Sequence, residues 1–208
     1  MQGSTVDPTS TVLHYPQSPE GTGAHHEEHP DHRLFGVFMF LIAESMIFLG
    51  LFVAYGTFRL VAATWPPEGT PELELLLPGI NTLILISSSF VMNRGQQAIK
   101  KGNVAGLRAW FAGTAALGLL FMCGQAYEYA TNTFGLTDNL FTSTFYVLTG
   151  FHGLHVSFGL LLICAVLWRS RKEGHYSSEE HFGVEAAELY WHFVDVIWII
   201  LFTILYLW

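Results

Sequence analysis

The chain has 208 residues, of which 51% are hydrophobic and 12% charged, with 17 Phe and a formal net charge of −8. Soluble domains carry about a quarter charged residues, so this composition, with a mean hydropathy of +0.38, excludes a water-soluble fold and points to one integral membrane domain. The two cysteines, Cys123 and Cys164, each lie inside an apolar run with no partner at a metal or disulfide spacing, which argues against both uses.

Residues 1–33 are polar and contain Pro8, Pro16, Pro19 and Pro30 with a histidine and acid cluster, His25, His26, Glu27, Glu28, His29, Asp31 and His32. No basic start leads into an apolar core, so no signal peptide is expected, and the segment reads as a disordered tail near the membrane. The cluster reads as solvated, with adventitious transition-metal binding as the lesser use.

Five apolar runs follow, at about 34–58, 75–92, 109–130, 139–168 and 185–208, each long enough to cross a bilayer core of about 30 Å. The expected fold is all-α, an integral membrane bundle of five transmembrane helices without an internal repeat. Pro78 falls in the first turn of the second run, where a missing N–H does least harm. With five spans, the N-terminal tail and the second and fourth connections share one side. They hold Arg33, Arg94, Lys100, Lys101, Arg108, Arg169, Arg171 and Lys172 against Arg59 on the other. The positive-inside rule then puts the N-terminus in the cytoplasm and the C-terminus outside, with the Trp65-Pro66-Pro67 turn and Trp208 as outer anchors.

The last run carries Glu185, Glu188, His192 and Asp195, at offsets 0, 3, 7 and 10 from Glu185. At about 100° per residue they fall within roughly 80° of one helix face. A charged group in mid-membrane costs on the order of 3 kcal/mol, so this polar stripe is expected to face protein or an internal cavity. Glu44 lies near the middle of the first run. A carboxyl at that depth is a natural proton-handling group, and the alternative is a neutral acid bonded to a facing helix. His152 and His155 stand one turn apart in the fourth run and, with His192, make three intramembrane imidazoles. Neighbours at i and i+3 cannot clasp one haem iron from opposite sides, so hydrogen bonds between helices are favoured over a haem or metal site. No phosphate loop or nucleophile constellation is present.

The run Phe40 to Glu44, Glu128 in Q-A-Y-E-Y, Ser143 to Val156 (S-T-F-Y-V-L-T-G-F-H-G-L-H-V), H-F-G-V-E-A-A from His181 and Y-W-H-F-V-D-V-I-W from Tyr190 follow one another in order. Together they resemble subunit III of the haem-copper cytochrome c oxidases, over about Phe35 to Trp208. The resemblance implies a subunit without a redox centre, bound directly to subunit I of a terminal respiratory oxidase with subunit II in the same complex. Haems and copper lie in those partners, and no nucleic acid is involved. The complex oxidises cytochrome c, reduces dioxygen to water and pumps protons, and subunit III supports proton uptake by subunit I and protects it from turnover inactivation.

By the same resemblance, Glu44 stands at the family's carbodiimide-reactive carboxyl, and Glu128, His152, His155, Glu185, Glu188, His192 and Asp195 are polar helix contacts. His175 matches a histidine near bound phospholipid head groups, and Arg169 and Arg171 flank the arginine position there. The mitochondrial form has seven helices and this chain resembles the last five, so a partner would have to supply one wall of that lipid cleft. The expected setting is a bacterial cell membrane or an internal energy-transducing one. Alternatives are subunit III of a quinol oxidase, an accessory protein of a nitric oxide reductase, a free-standing haem or metal protein using His152, His155 and His192, and an ion carrier centred on Glu44.

Overall fold

A computed structural model describes residues 32–71 and 73–208. The described residues form five long helices and no strand: α1 (His32–Val61), α2 (Leu76–Lys100), α3 (Val104–Thr131), α4 (Leu140–Arg169) and α5 (Phe182–Phe202). All five are long and apolar enough to cross a membrane, as expected. The tail and its histidine cluster fall outside the described residues up to Asp31, whereas His32 and Arg33, assigned to the tail from sequence, open α1.

Helices α1, α2 and α3 outrun their apolar stretches, whereas α4 keeps to its run and the α-helical part of α5 ends at Phe202, short of the expected 208. Polarity ends the lipid-facing part of a span, but backbone signals end the helix. Thus α2 continues through Arg94 to Lys100 and stops where Gly102 takes a positive φ of 72°, a left-handed turn that only glycine adopts without strain. Asn103 then caps α3 by accepting from the Gly106 N–H at 2.8 Å, so Arg108 lies inside α3. At α4, Asn139 and Thr142 satisfy each other's backbone donors in a reciprocal capping box.

Long-range hydrogen bonds and one cation–π contact fix the alternation of the helices. The Arg108 guanidinium at the start of α3 bonds the Ser170 carbonyl just past α4, and Arg33 lies 5.2 Å from the Phe182 ring at the start of α5. At the other end, Asn139 donates to Thr70 in the α1–α2 connection, and Arg59 bonds the Trp208 carbonyl. Helix α5 is the centre of the bundle and packs on α4, α2 and α1, while α2 and α3 form a close hairpin.

Its Trp191 and Trp198 are fully buried. Each indole N–H finds a hydroxyl on α2, Ser88 and Thr82 respectively, both at 2.9 Å. The Trp191 ring needs bare backbone opposite it: a Cβ at Gly118 of α3 or Gly159 of α4 would stand 2.6 or 2.9 Å from it. Beyond Phe202 the chain widens into a π turn, Thr203–Leu207. That turn is pinned by Tyr55, whose hydroxyl donates to the Ile204 carbonyl at 3.3 Å. Trp65 packs edge-on against Tyr55 and Phe141 at this end.

Candidate functional site

Polar groups inside the bundle gather at three places. The first joins α1 to α4. Glu44, twelve residues into α1 and thus about 18 Å along it, meets His155 with Oε2 3.1 Å from Nε2. The other ring nitrogen, Nδ1, is 2.8 Å from the Phe151 carbonyl and must donate to it, because a carbonyl only accepts. The Glu44–His155 contact therefore holds one proton, either on the carboxyl or on Nε2. Phe48 and Phe151, each with its ring centre 4.8 Å from the imidazole, keep the pair in apolar surroundings.

The second place is the stripe on α5, which faces α2. Ser89 bonds both His192, at 2.9 Å from Nδ1, and Asp195 through Oδ2. Glu188 approaches His192 Nε2 at 3.6 Å. Glu188 and Asp195 are buried. Glu185 sits one turn earlier and pairs instead with His181, at 3.3 Å. The stripe thus faces protein along its inner part and a groove at its open end. Ser89 could not be singled out from sequence, since Ser87, Ser88 and Ser89 follow one another and only the register of α2 against α5 selects among them.

The third is Glu128, which lies within α3, buried one turn from its end. It accepts from Gln125 at 2.8 Å and from the Tyr206 hydroxyl at 2.7 Å, so it ties α3 to the C-terminal π turn. Tyr206 is a partner that only the structure reveals.

His152 has none of these. It is fully buried, both its ring nitrogens lack a hydrogen-bond partner, and it packs between Phe121 and Trp198 at 6.0 and 4.9 Å. Although one turn from His155, it faces α3 and α5 while His155 faces α1. Two residues at i and i+3 are 60° apart, enough to enter different interfaces of a helix surrounded by neighbours. His152, His155 and His192 do not converge, and among the described residues no group of three His, Cys, Asp or Glu stands as a metal-ligand set.

At the end of α4 and in the connection after it, Trp168, Arg169, Arg171, Lys172 and His175 line one shallow basin. Tyr176 beside it is buried, which pushes its phenol above the ordinary value of 10.0, with Arg169 opposing the shift.

The family model for cytochrome c oxidase subunit III matches residues 17–208. The chain belongs to the cytochrome c oxidase subunit III family. It is 68% identical over 182 residues to cytochrome c oxidase subunit 3 of Synechocystis sp., covering 88% of this chain and 78% of that one. The corresponding protein of Thermostichus vulcanus is 60% identical over 183 residues, 88% of this chain and 90% of the relative. That of Rattus norvegicus is 38% identical over 180 residues, 84% and 69% respectively. The family match starts well before Phe35, where the motifs read from sequence begin, and so takes in part of the tail. With two bacterial relatives of this similarity and five spanning helices, the chain is a multi-pass protein of a bacterial membrane and a subunit III of a haem-copper oxidase.

Proposed function

We propose that this subunit III is a non-redox accessory subunit of a cytochrome c oxidase, seated directly on subunit I with subunit II in the same complex. Its part is to support proton uptake by subunit I and to protect it during turnover, while haems and copper reside in the partners. The observation that carries the reading is the Glu44–His155 pair: a carboxyl and an imidazole share one proton between two spanning helices, placed to hold or pass a proton and not to bind iron. The separation of His152, His155 and His192 weighs against the alternative of a haem or metal held by the chain itself. An orientation with the N-terminus in the cytoplasm follows from the basic connections. It places the Arg169, Arg171, Lys172 and His175 basin at the inner interface, where lipid phosphate is the natural ligand.

Mild-detergent purification of the complex with the wild-type chain and with Glu44→Gln tests this. Both should bring down a haem-bearing subunit I, and all haem should leave with it when subunit III is stripped away. The variant should assemble normally yet show altered sustained turnover. Haem retained on the isolated chain would overturn the accessory reading, and unchanged turnover and inactivation in assembled Glu44→Gln would remove Glu44 from it.

A further inference from the structure

We propose that Glu188, His192, Ser89 and Asp195 form a proton relay that loads the buried Asp195 carboxyl from a groove between α1 and α2. The proposal stands on the chain's own geometry and does not rest on the role assigned to Glu44. The groove, about 350 Å³, is lined by Leu34 and Phe38 of α1 and Asn93 and Gln96 of α2, and Glu188 and His192 of α5 form part of its wall. His192 is the more open of these two, its side chain 37% exposed against 7% for Glu188. Inward from it the path is closed: Ser89 bridges His192 to Asp195, and Asp195 is 5% exposed.

Proton counting shows what this arrangement can do. A serine hydroxyl has one proton to give. If Ser89 donates to the Asp195 carboxylate, His192 Nδ1–H must donate to Ser89, which leaves Nε2 to accept a proton held by Glu188. If instead Asp195 carries a proton and donates it to Ser89, then Ser89 donates to Nδ1, and Nε2–H donates to the Glu188 carboxylate. Both arrangements contain three protons among the same four groups. Each hydrogen-bonded proton shifts by one bond, and the net result is one proton moved from Glu188 to Asp195, with no oxidant or other reactant needed.

The Glu188–His192 separation of 3.6 Å is longer than a hydrogen bond. That link closes by a small rotation of the open His192 ring or through one water from the groove.

A second observation gives the relay its direction. Asp195 Oδ1 is buried and has no partner. An ionised carboxylate with an orphaned oxygen is costly in such surroundings, whereas the neutral acid leaves only a carbonyl oxygen unpaired. The inner end is therefore built to hold a proton. Ser89 is the hydrogen-bond partner of Asp195 and His192 the titratable group bonded to that serine, while Glu185 of α5 is a further carboxyl in the groove wall.

The test is infrared difference spectroscopy of the purified complex through a pH jump, repeated in D2O. The expected result is a protonated-carboxyl band that shifts in D2O and is absent in Asp195→Asn. Its exchange should be at least about tenfold slower in Ser89→Ala and near wild type in Ser89→Thr, which restores the hydroxyl. If Ser89→Ala does not assemble, His192→Gln breaks the relay from its open end and is read in the same way. A carboxyl region unchanged by Asp195→Asn, or exchange as fast in the broken relay as in wild type, would overturn the proposal. Because the readout is the Asp195 band and not turnover, neither outcome depends on the function proposed for Glu44.

Discussion

Among single residues, His152 separates packing from polarity most clearly. It fills space between Phe121 and Trp198 without a hydrogen bond, so its imidazole contributes bulk while its two nitrogens remain unsatisfied. His152→Phe should hold the stability of the detergent-solubilised subunit or raise it by about 1 kcal/mol, the order of cost of an unpaired buried polar group. His152→Ala should lower it by about 3 kcal/mol through the cavity it leaves. Thermal or denaturant unfolding of the two variants decides; equal losses in both would mean that a polar contact had been removed. From sequence His152 is an intramembrane imidazole whose favoured use is a hydrogen bond between helices; in the structure neither ring nitrogen has a partner. Periodicity assigns a side chain to a face, and the roughly 60° between His152 and His155 decides which of them meets Glu44 and which meets two aromatic rings. The same limit hid Ser89 and Tyr206, whose importance comes from what stands opposite them.

At the scale of elements, the polar connections were less legible than the spans. Length and apolar content locate a helix that must satisfy its backbone internally in lipid. The α4–α5 connection has no such constraint, and from sequence it was a basic loop with His175 at a lipid head-group position and no fold of its own. In the structure it folds back, so that Tyr176 is buried with its hydroxyl over Gly183 in the first turn of α5, where a Cβ would come within 2.8 Å. Burial raises the Tyr176 pKa above its ordinary 10.0. A raised pKa means that the folded state favours the neutral phenol. Its contribution to stability is intact below the ordinary tyrosine value and is lost as pH rises through the higher, folded one. A phenolate difference titration, wild type minus Tyr176→Phe, should place this ionisation above 10; ionisation at or below that value would mean that the connection opens away from α5.

For the whole molecule, the apolar residues left outside the bundle set the conditions under which it is stable. Helix α1 touches its neighbours through a narrow stripe that includes Phe48 and Tyr55 and exposes Phe35, Met46, Ile47, Val53 and Leu60 among others. Such a surface requires lipid or partner subunits around it. Which way it sits in the membrane follows from charge: the ends of the helices that carry Arg94, Lys100, Lys101, Arg108, Arg169, Arg171 and Lys172 lie together, opposite the end that holds Arg59 and Trp208. The positive-inside rule predicts that the first set is cytoplasmic. Lys172 and Glu68 are exposed in connections at opposite ends, so a cysteine at either reports its side once Cys123 and Cys164 are replaced by serine. With a membrane-impermeant maleimide on right-side-out vesicles, Glu68→Cys should label at once and Lys172→Cys only after permeabilisation. The reverse pattern would invert the bundle. It would move the Arg169, Arg171, Lys172 and His175 basin to the outer face, and with it the groove at the start of α5 through which the Asp195 relay would take up its proton.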